Sequence, residues 1–176
     1  LPDRDNNRRD EKESKNYLSK TTKALYELGS VFKTFAIASA IENKAVTRET
    51  LFTNLRQRVY CGKFPIDEYR WDKSKSNLTI EQILVKSSNI GTIEIIKKNG
   101  LENQQKFLES IEIFDMPKLE VIELSQSNKN RWGNCNTFTS GFGHGVSTTL
   151  LQLTRAYAAI VNGGELVDSS ILLKAA

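Results

Sequence analysis

Apolar side chains recur most densely between residues 30 and 42, where Val31, Phe32, Phe35, Ala36, Ile37, Ala40 and Ile41 alternate with small or polar residues. Neither Pro nor Gly interrupts that run and Gly29 stands just ahead of it, so the pattern predicts a helix over 30–43 that begins at Ser30. Its apolar positions cover nearly the whole circumference, the pattern of a helix buried on all sides. A second helix is signalled by Thr79-Ile80-Glu81-Gln82, a capping box ahead of Ile83-Leu84-Val85, and it ends at Ser87-Ser88-Asn89. Asn89 to Gly100 reads as the next helix, closed by Asn99-Gly100 as a left-handed cap. Leu101, Phe107, Leu108 and Ile111 predict another over Leu101 to Phe114, followed by an irregular polar stretch through Asn136. Thr149-Leu150-Leu151-Gln152 then opens a helix within Ser147 to Asn162, with Leu150, Leu153, Tyr157 and Ile160 as its apolar stripe and Gly163-Gly164 as its stop. Residues 79–164 are thus expected to form a helical subdomain. Residues 44–77 suggest short strands and loops around Cys61-Gly62-Lys63-Phe64-Pro65, and residues 1–25 are a polar loop or surface segment.

The 176 residues are 39% hydrophobic and 26% charged, with a formal net charge of +4 and a sequence pI near 9.0. That balance fits one globular domain, and the basic excess is spread along the chain without the Lys/Arg block or aromatic platform of a nucleic-acid binder. No apolar run approaches the roughly 18 residues that span a bilayer, and no signal-peptide pattern opens the chain. The chain begins at Leu1 and stops in Leu172-Leu173-Lys174-Ala175-Ala176, so it is read as a segment of a longer protein. Cys61 and Cys135 are too few and too widely spaced for a zinc site or a disulfide framework, and the simplest expectation is two unpaired thiols.

Candidate chemistry gathers at two places. Ser30 and Lys33, three apart on a helix, share a face and place a hydroxyl beside an amine. A serine needs a neighbour to take its proton, and lysine serves only when desolvation or nearby positive charge leaves it neutral. The apolar surroundings of this helix supply the desolvation. A capping Ser with a Lys one turn on is also ordinary helix chemistry, so the pair does not decide the matter alone. Ser87-Ser88-Asn89, between two predicted helices, can hold a hydroxyl and an amide at a cleft, although such residues equally make a simple helix stop. Gly141-Phe142-Gly143-His144-Gly145 lacks the flanking strand and the Gly-Lys-Ser/Thr ending of a phosphate loop. His144 is the sole histidine.

Taken together, Tyr-Glu-x-Gly-Ser-x-Phe-Lys (26–33), Leu-Val-Lys-Ser-Ser-Asn-Ile-Gly (84–91), Phe-Gly-His-Gly-Val-Ser (142–147) and Leu-Gln-Leu-Thr-Arg-Ala-Tyr-Ala-Ala-Ile-Val-Asn-Gly-Gly (151–164) resemble, in this order, the transpeptidase domain of class B penicillin-binding proteins. Arg131-Trp132-Gly133 and the Gly-His-Gly variant tilt the resemblance toward the septal, FtsI-like branch. The resemblance implies an α+β, penicillin-binding-protein/β-lactamase-like fold, here mostly its helical subdomain without the C-terminal sheet strands. It implies Ser30 as the acylated nucleophile, Lys33 as its proton acceptor, Ser87 as a proton relay and Asn89 as the residue orienting the peptide. The implied substrate is a peptidoglycan stem peptide ending in D-Ala-D-Ala, with β-lactams as its mimics, no metal or cofactor, and divisome partners such as an FtsW-type lipid II polymerase. The implied location is the periplasmic side of the inner membrane, an oxidising compartment that would allow Cys61 and Cys135 to pair.

The sequence departs from the family in containing no Lys-Thr/Ser-Gly third motif, and residues 1–176 alone are expected to be inactive and poorly stable. A D,D-carboxypeptidase or β-lactamase-like enzyme, and a non-catalytic division scaffold, are the alternatives.

Overall fold

The computed structural model describes residues 19–120, 125 and 134–172. The start of the polar segment expected over 1–25, and Arg131-Trp132-Gly133, lie outside the described residues. Two compact units divide the chain: Glu27–Ser110 with Asn130–Val146, and Leu1–Tyr26 with Ile111–Lys129 and Ser147–Ala176.

In the larger unit a 3-10 turn, Gly29–Phe32, follows the two-residue strand β1 (Tyr26–Glu27) and leads into α1, Lys33–Glu42. The α-helix therefore starts at Lys33, and Ser30 lies in the tighter turn ahead of it, a correction to the expected start at Ser30. Phe32, Phe35, Ala36, Ile37 and Ala40 are buried, whereas Val31 and Ile41 are 47% and 48% exposed, so the helix is not buried on all sides. Helix α1 packs against α3 (Asn89–Asn99) and α4 (Leu101–Ser110). Ile37, Ala40, Ile83, Ile90, Ile93 and Ile95 form the centre of the core between them. Each large side chain there contributes roughly 1.5–3 kcal/mol by leaving water.

The short strands expected over 44–77 are present. Strand β3 (Arg58–Cys61) pairs antiparallel with β4 (Phe64–Asp67), with Val59 opposite Ile66 and Cys61 opposite Phe64. Gly62, at φ +60°, makes the turn between them without a side-chain penalty. Alternation along β4 turns Ile66 inward and Asp67 outward, and the same alternation carries Glu68, just beyond the strand, into the interior. Strand β2 (Leu51–Phe52) pairs with β5 (Leu78–Thr79), directly before α2 (Ile80–Val85). Thr79 and Gln82 form the expected capping box. All these strands are two to four residues long, and the class is α+β.

Two expectations on helix ends change. Gly100 does close α3 at positive φ, but φ +95° with ψ 138° lies outside the left-handed helical well. Helix α4 ends at Ser110, short of the expected Phe114. The stretch expected to be irregular through Asn136 contains the start of α5, Asn134–Ser140. Its Asn, Thr and Ser residues are weak helix formers, so tertiary contacts decide: α5 packs on α3 and α4. Cys135 on α5 is disulfide-bonded to Cys61 on β3, which corrects the expectation of two unpaired thiols. The bond ties the hairpin to α5 across 74 residues of chain.

In the smaller unit, α6 (Leu150–Val161) begins with the expected capping box of Thr149 and Gln152. Its buried residues are Gln152, Arg155, Ala156 and Ala159, while Leu150, in the expected apolar stripe, is exposed. Polar groups explain the difference. Gln152 Nε2 donates to the Asp115 carbonyl at 2.7 Å, and Arg155 donates to Val167 O and Glu112 Oε2 at 3.0 and 3.2 Å. Among the described residues, no helix is long and apolar enough to cross a membrane.

Candidate active site

Ser30, Lys33 and Ser87 meet in the larger unit. Lys33 Nζ donates to Ser30 Oγ at 3.2 Å, to Ser87 Oγ at 2.9 Å and to the Ser87 carbonyl at 2.6 Å. The first contact follows from their spacing across the 3-10 turn. The other two depend on how α2 ends.

That ending is a Schellman motif: Ser88 N–H donates to Ile83 O at 2.9 Å, and Ser87 N–H to Leu84 O at 3.0 Å. Glycine usually occupies the left-handed position of such a cap, but here it is Ser87, at φ +51°. An L-residue is held there at a cost of about 1–2 kcal/mol. The conformation turns both the carbonyl and the hydroxyl of Ser87 onto the Lys33 amine. Ser88 then caps α3, its Oγ accepting from Gly91 N–H at 2.8 Å.

Lys33 is 1% exposed while Ser30 lies at the surface. Burial pushes the Lys33 amine down to about 8; the Glu68 carboxylate opposes this and the Lys75 ammonium adds to it. About a tenth of such a group is neutral at pH 7. In that fraction the direction of the Ser30 hydrogen bond reverses, and the amine accepts the hydroxyl proton.

Asn89 is placed differently. Its Nδ2 donates to the Asp67 carbonyl at 3.1 Å, which ties the side chain to β4. These hydrogen bonds thus join three of the four expected site residues and hold the fourth at the start of α3, two positions from Ser87. A separate cavity of about 600 Å³, lined by Phe52, Arg56, Tyr60 and Lys97 among others, includes none of the four.

Three supports of the site were given no role from the sequence: Glu68, Lys75 and the glycine-rich loop. Glu68, with a side chain entirely out of solvent, accepts from Asn89 N–H at 3.1 Å, Ile90 N–H at 3.2 Å, Tyr69 N–H at 3.0 Å and Ser88 Oγ–H. Lys75, also buried, stands 3.9 Å from it. The third support is the glycine-rich loop: Gly29 N–H donates to Gly143 O at 3.3 Å. A Cβ on Gly143 would stand 2.1 Å from Gly29 O, so this loop serves close backbone approach to the Ser30 turn. Glu27 reinforces it, accepting from Gly145 N–H at 3.1 Å with His144 Nδ1 3.8 Å away. Period-2 alternation past Ile66 was the readable clue to Glu68.

The family model of the penicillin binding protein transpeptidase domain matches residues 2–175. The chain belongs to that family. It is 27% identical over 166 residues to the "Probable peptidoglycan D,D-transpeptidase FtsI" of Caulobacter vibrioides, covering 94% of this chain and 28% of that protein. It is 29% identical over 154 residues to the peptidoglycan D,D-transpeptidase FtsI of Buchnera aphidicola, covering 85% of this chain and 26% of that protein. Among solved structures, the transpeptidase domain of Burkholderia pseudomallei penicillin-binding protein 3 superposes with a TM-score of 0.78 at 27% identity, over 88% of this chain and 46% of that one. The chain therefore spans less than a third of the length of these two curated relatives, and the fold of the transpeptidase family is the one observed.

Proposed function

We propose that this chain carries the acylation centre of a peptidoglycan D,D-transpeptidase acting in septal wall synthesis. Neutral Lys33 takes the proton of Ser30, whose Oγ attacks the carbonyl between the two terminal D-alanines of a stem peptide. The C–O bond forms, the C–N bond breaks, and D-alanine leaves with a proton relayed through Ser87. An amine from a neighbouring stem then displaces Ser30 from the ester, closing the cross-link and returning the proton to the serine. Asn89 orients the peptide. The reading rests above all on one observation, a buried amine within hydrogen-bond distance of two serine hydroxyls, one of them exposed. Family membership and the names of the relatives support it.

The finer parts of the reading follow from the relatives. FtsI-named proteins suggest the septum, an inner-membrane anchor with this domain on the periplasmic side, and divisome partners such as an FtsW-type polymerase. The Cys61–Cys135 bond accords with an oxidising compartment. Residues 1–176 contain no Lys-Thr/Ser-Gly, so turnover is proposed for the whole protein.

Intact-mass spectrometry of the full-length protein after exposure to a fluorescent penicillin tests this. An adduct abolished by Ser30→Ala is the expected result. A folded protein that takes up no penicillin, or an adduct that survives Ser30→Ala, would remove Ser30 as the nucleophile.

A further inference from the structure

The buried charges behind the site are not explained by covalent chemistry at Ser30. Glu68 and Lys75 are both nearly inaccessible, at 6% exposure each, and burying an ion pair is not by itself a stabilising arrangement. Their geometry shows what they hold. Four donors converge on the Glu68 carboxylate: Tyr69 and Asn89 N–H on Oε1, and Ile90 N–H with Ser88 Oγ–H on Oε2. Three of the four belong to the segment 88–90 that immediately follows Ser87. Two are otherwise unpaired first-turn N–H groups of α3, an 11-residue helix, so the carboxylate also sits at the positive end of its dipole. An acceptor-only group is required here, because an amide would turn its NH₂ against two donors in either orientation. Lys75 donates to the Tyr69 carbonyl and so holds the residue next to Glu68 in place.

We propose that Glu68, braced by Lys75, is the positioning residue that anchors the Ser87–Asn89 turn against Lys33. This rests on the transpeptidase reading of the site. The pair acts on Lys33 in two ways. Mechanically, it holds the strained Ser87 whose carbonyl and hydroxyl receive the Lys33 amine. Electrostatically, Glu68 from the end of β4 favours the ammonium form of Lys33, while Lys75 from the 3-10 turn Lys73–Lys75 disfavours it. The two charges therefore oppose each other at the base.

The opposition gives a test that a merely structural role would not satisfy. Acylation rates of the full-length protein by a fluorescent penicillin are measured across pH for wild type, Ser30→Ala, Glu68→Gln, Glu68→Asp and Lys75→Met. Removing the Glu68 charge leaves Lys33 easier to deprotonate, so the acid limb of Glu68→Gln moves to lower pH. Removing the Lys75 charge moves the limb to higher pH. Glu68→Gln also loses rate on the order of a hundredfold at its plateau, the scale of a 1 Å misplacement of reacting groups. Glu68→Asp, which keeps the charge, restores the wild-type limb. Limbs that stay in place or move the same way in both charge-removing variants would overturn the proposal while leaving Ser30 acylation intact. Should Glu68→Gln fail to fold, the direction of the Lys75→Met limb decides. Labelling that survives Ser30→Ala would instead sink the transpeptidase reading itself.

Discussion

Two turns present a serine to Lys33, and they solve the same backbone problem in opposite ways. Before Ser30 the left-handed residue is Gly29, at φ +54°, and the serine that follows is free of that constraint. At the second turn the left-handed residue is Ser87 itself. The first turn is held from outside by backbone, through Gly143 lying against Gly29. The second is held by charge, through Glu68 on the three residues after it. A turn made by glycine tolerates no side chain at its buttress, and a turn made by serine needs an anchor strong enough to sustain strain.

The largest effect that separates the two belongs to the amine between them. Replacing Lys33 by Met keeps the buried volume and removes the proton acceptor that both serines contact. Acylation should fall roughly 100- to 10,000-fold, the usual contribution of a positioned base. In the wild type the neutral amine is the active form, so acylation rises with pH through about 8 and is lost as pH falls below it. A rate profile flat from pH 6 to 9 would mean that Lys33 is not the base. Because Ser87 loses its partner as well, restoring a base in solution would rescue the first turn's chemistry without restoring the second's geometry.

The buttress comes next. Gly143→Ala places a methyl against Gly29 backbone atoms at φ +79°, combining left-handed strain of about 1–2 kcal/mol with overpacking of a further 1–3 kcal/mol. We expect a loss of about 3 kcal/mol in denaturant unfolding, with slowed acylation because the displaced atoms precede Ser30. Gly29→Ala meets no atom within 4 Å and keeps only the strain term, about 1 kcal/mol. Equal losses in the two variants would show that the close approach carries no energy.

Legibility in the sequence followed the same division. Features written in local chemistry were readable: the capping boxes at Thr79 and Thr149, the presence of short strands around Gly62, and the Ser30–Lys33 spacing. Features that depend on distant partners were not. Nothing in Asn134-Cys-Asn-Thr-Phe-Thr-Ser140 favours a helix; packing on α3 and α4 and the bond to Cys61 impose it. Gln152 and Arg155 lie off the apolar stripe expected for α6 yet face carbonyls and a carboxylate inside its unit. Glu68 sits in the run Asp67-Glu68-Tyr69-Arg70, which looks like solvated loop until the register of β4 turns it inward. The hold on Asn89 is of the same kind: its Nδ2 donates to Asp67 O, a tie to β4 that the sequence around it does not announce.

The smallest effect tests the strained serine directly. Ser87→Ala and Ser87→Gly both delete the hydroxyl that Lys33 contacts, so both should slow acylation to a similar extent. Their stabilities should differ. Alanine must still be forced to positive φ, at about 1–2 kcal/mol, whereas glycine adopts it freely but gives up about 0.5–1 kcal/mol of chain entropy on folding. The glycine variant should therefore be the more stable by about 0.5–1 kcal/mol, read from denaturant midpoints at unchanged slope. A glycine variant that is less stable than alanine would mean that the Schellman cap relaxes once the hydroxyl is gone, so that contact with Lys33, rather than Glu68, holds Ser87 in its left-handed state.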